Sequence, residues 1–193
     1  MPATPATPMD TSWPSPTERW PGDPQRATRA RMSDLDPREL FGADQPCFGC
    51  SPTNPVGMQL QFERDGDRAV TTTFTARPGW EGAPGIVHGG LQATLADEIG
   101  AWAVIACTGN FGFTMSMQLR YLRPARHALP VHARAELVEQ TEKTARVRIK
   151  LTQDGKTLLS GTATYLMPNI AEAESILDGD LPDAWRAHTR DHA

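Results

Sequence analysis

The chain has 193 residues, a formal net charge of −4 and 39% hydrophobic side chains, enough for one core-forming domain with length left over but not for two. A mildly acidic balance, with no basic run interleaved with aromatics, excludes a nucleic-acid surface, and no stretch approaches the ~18 consecutive apolar residues that a membrane-spanning helix needs. The N-terminus lacks the basic-then-apolar layout of a signal peptide, and three cysteines fit a reducing compartment better than a disulfide framework, so a cytoplasmic protein is expected.

Residues 1–40 carry Pro2, Pro5, Pro8, Pro14, Pro16, Pro21, Pro24 and Pro37 among Ala, Thr, Ser, Arg and Asp. Such a segment cannot bury a core, and it reads as a disordered extension with Trp13 and Trp20 as anchors onto the domain that follows. That domain is expected over residues 41–168. Near its start, Cys47 and Cys50 form a Cys-x-x-Cys, half of the four-ligand set of a structural zinc site. No second pair stands nearby, although a dimer can supply one, and the reading adopted is a folded loop with no metal and no redox role. Met58, Leu60 and Phe62 then alternate with Gln59, Gln61 and Glu63, and a second extended run covers residues 69–75; both read as strands.

Pro84-Gly85-Ile86-Val87-His88-Gly89-Gly90 joins a loop to a helix read over residues 91–106. The two glycines leave the first N–H groups of that helix uncovered, and those groups have no intrahelical partner, so they form an oxyanion site. Leu91, Leu95, Ile99, Trp102 and Ala106 fall on one face, and Ala93, Ala96, Gly100, Ala103 and Val104 on the other, so both faces must be covered by protein. Asp97 lies among these small apolar residues and must be paired, protonated or used; Glu98 beside it attracts the same argument. Eight positions separate Gly89 from Asp97, a rise of roughly 12 Å, so one bound carbonyl cannot touch both. A site using both groups is therefore expected across a two-fold interface, Gly89 of one subunit facing Asp97 of the other.

After the helix, Phe113, Met115, Met117, Leu119 and Tyr121 alternate with polar residues, and strands follow over residues 131–139 and 146–151. Asp154-Gly155 marks a hairpin turn into a last strand, residues 157–167. The sum is an α+β domain: one long central helix wrapped by a curved antiparallel sheet of about six strands, mostly a meander, with a second subunit closing what the sheet leaves uncovered. Residues 169–193 form a tail with a short helix around residues 184–190.

The stretch Gly85-Ile86-Val87-His88-Gly89-Gly90 with Leu95-Ala96-Asp97-Glu98 resembles the His-Gly-Gly loop and acid of the hotdog-fold acyl-CoA thioesterases, in the branch of the phenylacetate-pathway and 4-hydroxybenzoyl-CoA-type enzymes. Cys47-Phe48-Gly49-Cys50, Asn54-Pro55-Val56-Gly57-Met58 and Tyr121-Leu122-Arg123-Pro124-Ala125 are also similar, so the resemblance runs over residues 46–167. It implies a hotdog fold and hydrolysis of an acyl-CoA to free acid and coenzyme A, by a homodimer or homotetramer without cofactor or metal. Asp97 is then the nucleophile or general base, the Gly89 N–H holds the oxyanion, His88 positions the loop or thioester, and Thr114 orients the water. Gly90 and Glu98 are carried along as candidate substrate contacts, and Arg123 and Arg126 as partners for the coenzyme A phosphates.

One departure stands out: several relatives place an amide side chain six residues before the His, and here that position is Gly82. The alternative reading is therefore an acyl-CoA-binding hotdog protein without turnover. A dehydratase is disfavoured because its Asp and His pair is not present at the needed spacing, and no Walker pattern supports ATP. Trp80, Trp102, Phe111 and Phe113 either line an acyl pocket or fill the core, and the core is the stronger reading for each.

Overall fold

A computed structural model describes residues 35–190; the proline-rich run before them, with Trp13 and Trp20, and the last three residues lie outside the described residues. The elements in chain order are α1 (Pro37–Phe41), β1 (Glu63–Arg64), β2 (Ala69–Phe74), β3 (Glu81–Ala83), β4 (Ile86–Val87), α2 (Gly89–Thr108), β5 (Phe113–Tyr121), β6 (Val131–Gln140), β7 (Thr144–Gln153), β8 (Lys156–Leu166), α3 (Ile170–Leu177) and α4 (Asp183–Arg186). Six strands form one antiparallel sheet in the order β1-β2-β6-β7-β8-β5, while β3 and β4 make a small separate ribbon around Pro84-Gly85. Gly85, at φ +73°, takes the left-handed conformation that this tight turn needs.

β6, β7 and β8 form the expected meander, and alternation explains their placing: Val131, Ala133, Ala135 and Leu137 of β6, and Ala145, Val147, Ile149 and Leu151 of β7, are all buried. α2 lies across this inner face, packed chiefly on β2, β6 and β7. It packs tightly at Gly100, where an added Cβ would stand 3.2 Å from Val147 Cγ2 and closer still to the Tyr165 hydroxyl. The helix ends where Gly109 adopts φ +75° and its N–H donates to the Ile105 carbonyl.

One expectation is corrected here. Residues 58–62 keep their alternation, with Met58, Leu60 and Phe62 all buried, but they are not a sheet strand. The Met58 and Leu60 N–H groups donate to the carbonyls of Phe48 and Gly49 at 2.8 and 2.9 Å, so the segment spends its backbone bonds on the cysteine loop, and only Glu63–Arg64 joins β2. Part of the α2 face turned away from the sheet is covered by the chain itself: Phe62 stacks on Trp102 at 4.5 Å and 13°, and Phe41 meets the same ring edge-on at 5.8 Å. Helix α1, capped by Asp36 through the Arg38 N–H, belongs to this covering layer together with buried Leu35. At the other end the tail holds two helices, of which α3 starts with a reciprocal capping box between Asn169 and Glu172.

Candidate active site

His88 is the N-cap of α2. Its Nδ1 accepts from the Gly90 N–H at 2.9 Å, and its carbonyl accepts from the N–H groups of Leu91 and Gln92. Histidine is an uncommon cap, and this one works because position 90 has no side chain: a Cβ there would stand 3.0 Å from His88 Nδ1. The Gly90 N–H is thereby used, while the Gly89 N–H, first of the helix, has no intrahelical partner. The Gly89 carbonyl accepts from Tyr121 Oη at 2.9 Å, which ties the helix start to the far end of β5.

Two turns along the same helix, Asp97 is half-buried and held by hydroxyls. Thr114 Oγ1 donates to Asp97 Oδ1 at 2.7 Å, and Tyr165 Oη donates to the Asp97 carbonyl at 2.8 Å and to Oδ1 at 3.4 Å. Thr114 and Tyr165 are register partners across β5 and β8, so both side chains point to the helix face. The ladder shifts register between Thr114 and Ser116, an irregularity that skips the exposed Met115 and interrupts the pairing beside Thr114. Burial first, then the Asp97 carboxylate, push the Tyr165 phenol above its ordinary range, so it stays a donor. Tyr165 is the site residue that the sequence reading missed. A tyrosine on the inward register of a strand must find a partner for its hydroxyl, and that was the available signal.

Glu98 faces another way, toward the cysteine loop, where the Cys47 thiol donates to Glu98 Oε1 at 3.0 Å. Burial is the main reason that the Glu98 carboxyl is held well above the usual carboxylate range. Hydrogen bonding with Cys50 chiefly, then with Glu98 and the N–H groups of Cys50 and Gly49, brings Cys47 down to about 5 against the opposing effect of burial. Arg123 Nη1 donates to the Thr157 carbonyl at 2.9 Å, and the backbone N–H and carbonyl of Arg126 are held by the Gln153 side chain. A groove of about 560 Å³ at the start of α2 is bounded by His88, Gly89, Gln92, Tyr121, Leu122 and Arg123, with Gly82 on its rim. A Cβ at position 82 would stand 3.1 Å from His88 Cδ2, so the imidazole fills the space in which a side chain would begin. Trp102 and Phe111 are buried in the core and Phe113 packs against it, while Trp80 stacks on Phe74 beneath the Arg77 guanidinium.

Comparison with known proteins agrees with a long helix packed on a six-stranded antiparallel sheet. Residues 84–160 match the Thioesterase superfamily. The fold is the thioesterase hotdog fold. Zebra fish thioesterase superfamily member 2 superposes with a TM-score of 0.58 at 20% identity, over 70% of this chain and 99% of that one. A hypothetical thioesterase from Streptococcus pneumoniae TIGR4, solved with coenzyme A, gives 0.52 at 25% identity, over 55% of this chain and 86% of that one. In sequence, acyl-coenzyme A thioesterase 13 of Homo sapiens is 33% identical over 91 residues, which are 45% of this chain and 64% of that relative. The chain thus matches a little under two thirds of the length of these curated relatives. The sequence matches thus cover part of this chain, and the structural matches show the fold. Among the described residues no helix is long and apolar enough to cross a membrane.

Proposed function

We propose that this protein is an acyl-CoA thioesterase whose site is built between two copies of the chain, with Asp97 as nucleophile or general base and the Gly89 N–H as oxyanion donor. The single observation that carries the two-subunit reading is the layout of β5. This nine-residue strand lies at the end of the sheet, pairs only with β8 among the described residues, and has no buried position. Met115 and Tyr121 are 60% and 50% exposed on it. A long edge strand of this kind is a template for pairing with a second strand. Thr114 at one end of β5 holds Asp97, and Tyr121 at the other end holds Gly89. Antiparallel pairing of two β5 edges about a two-fold axis sets Tyr121 of one copy beside Thr114 of the partner subunit, and so brings a Gly89 N–H toward the opposite Asp97.

In this arrangement the thioester carbonyl sits at the start of one α2, where the N–H and the helix dipole favour the charge that develops on its oxygen. Asp97 from the other copy attacks that carbonyl or directs water at it, with Thr114 fixing the reacting carboxylate oxygen. If Asp97 directs water, it takes a proton as water attacks, the carbon–sulfur bond breaks, and that proton passes to the departing thiolate, leaving the free acid and coenzyme A thiol. If Asp97 attacks, the thiolate leaves first and water then hydrolyses the acyl–aspartyl anhydride, supplying the acid's oxygen and the thiol's proton. Arg123, which lines the groove, and Arg126 three positions on serve the coenzyme A phosphates in this reading, and Gly90 contributes through its N–H to the His88 cap, while Glu98 faces the cysteine loop and not the groove. The fine position within the family, the phenylacetate and 4-hydroxybenzoyl-CoA-type branch, is part of the same proposal, as are the homodimer or homotetramer and a cytoplasmic location.

Subunit complementation tests it. His88 already has φ −56° and ψ 135°, which suits a following proline, and proline is well accepted at the first helical position, so Gly89→Pro deletes one N–H and keeps the helix. Asp97→Ala and Gly89→Pro chains, each inactive, regain up to about half the wild-type activity per mixed dimer when co-refolded, because one of its two sites is then intact. Mixed dimers that form without any recovery refute the shared site.

A further inference from the structure

Cys47, Cys50 and Glu98 gather at one point of the fold, three groups of metal-ligating type. The chain turns tightly there, the Ser51 N–H donating to the Cys47 carbonyl at 3.2 Å. The N–H groups of Gly49 and Cys50 both point at Cys47 Sγ, at 3.3 and 3.4 Å, an arrangement that supports a thiolate. Glu98 arrives from α2, fifty-one positions away in sequence, with Oε1 3.0 Å from the same sulfur. Space has been cleared for it: a Cβ at position 49 would collide with the Glu98 carboxyl and its Cγ, so only glycine lets this carboxylate lie over the turn.

The three donor atoms, two sulfurs and one carboxylate oxygen, lie within 4.8 Å of one another. Two sulfurs on one tetrahedral cation at ~2.3 Å stand about 3.7 Å apart, so the set closes on such an ion with small side-chain movements. An outer layer is present too: the buried Gln45 side chain donates through Nε2 to Cys50 Sγ at 3.7 Å and accepts the Cys47 N–H through Oε1 at 3.1 Å, fixing both cysteines. Two thiolates and one carboxylate suit a borderline-soft divalent ion, and the softness of the sulfur ligands favours zinc over magnesium or calcium.

We propose that Cys47, Cys50 and Glu98 bind one Zn²⁺ per chain, with solvent in the fourth position, and that this ion clamps the loop before residue 58 onto α2 one position past Asp97. Binding displaces the ligand protons to solvent. The Cys-x-x-Cys that is half a site in the sequence becomes three quarters of one in the fold. The proposal concerns metal binding alone and stands or falls independently of turnover.

The test uses the full chain, fully reduced, titrated with Co²⁺ and then with Zn²⁺. One equivalent of Co²⁺ gives thiolate-to-cobalt charge-transfer and tetrahedral visible bands, and one equivalent of Zn²⁺ abolishes them. Cys50→Ser removes the charge-transfer signal, Glu98→Gln weakens binding at least about tenfold, and Cys107→Ser, nine helix positions beyond Glu98, changes nothing. Should a cysteine variant fail to fold, the wild-type titration and Glu98→Gln, which keeps the shape of the side chain, still decide. No charge-transfer band with reduced wild type, a band that survives Cys50→Ser, or a Cys47–Cys50 disulfide that persists in reductant would each overturn the proposal.

Discussion

Gly100→Ala should damage this protein far more than a helical glycine-to-alanine change ordinarily does. In an exposed helix the change stabilises by about 0.5–1 kcal/mol. Here the new Cβ would overlap the Tyr165 hydroxyl and stand 3.1 Å from Tyr165 Cζ and 3.2 Å from Val147 Cγ2. The ring must tilt, its hydroxyl leaves the Asp97 carbonyl and Oδ1, and a fully buried donor is left without a partner. Overpacking costs about 1–3 kcal/mol and the orphaned donor another 1–3, so after the helix gain the net loss is about 3 kcal/mol. Tyr165→Phe alone costs about 1 kcal/mol, since it removes a hydrogen bond and leaves no orphan donor. In the double variant the offending oxygen is gone and the nearest ring atom moves back from the hydroxyl to Cζ, so the combined loss is about 2 kcal/mol and not the additive 4. Urea unfolding of the four proteins reads this as a midpoint displacement of roughly 1–2 M for Gly100→Ala that is partly reversed in the double variant. Losses that add to within about 0.5 kcal/mol would refute the claim that Gly100 exists to admit the Tyr165 hydroxyl.

Raising the pH should expose the same phenol. Tyr165 is pushed up by burial and by Asp97, so above an unfolded value of about 10 the unfolded chain releases a proton that the folded chain keeps, and stability falls as pH climbs from there. Ultraviolet titration should therefore show at least one of the two tyrosines ionising only together with unfolding, and complete ionisation with the fold intact would contradict it. Phe62→Ala removes the ring stacked on Trp102 at a site 1% exposed and should cost about 3–5 kcal/mol in chemical denaturation; under 1 kcal/mol would mean that the segment before β1 does not cover the helix.

How far the sequence could be read followed the range of the interactions concerned. Apolar periodicity placed the helix within two residues at each end, and strict alternation placed Phe113–Tyr121 to the residue, because both signals are local and repeat. Residues 58–62 alternate like a strand, yet their N–H groups are taken by Phe48 and Gly49, and nothing in the pattern of side chains tells which backbone a strand will meet. Asp97 and the His88 loop stood out by residue type and spacing, and Thr114 by resemblance alone; the fold brings Thr114 to Asp97. The Tyr165 partnership and the pairing of Glu98 with Cys47 were not legible, since they join positions 68 and 51 apart that only the completed fold brings together. Gly90 was read as a backbone feature and Gly82 as a missing amide side chain, and the structure gives each a steric meaning beside the His88 ring.

The most direct test of the central claim is release of coenzyme A thiol from a small panel of aliphatic and aromatic acyl-CoAs, with wild type and Asp97→Ala compared at equal helix content and equal oligomeric state. Turnover by wild type with a loss of at least about 100-fold in the variant, and acyl-CoA affinity retained, is the result expected for a group used in the transition state. Equal rates for the two proteins would contradict the role of Asp97, and a wild type that binds acyl-CoA but hydrolyses none of the panel would contradict the enzyme itself.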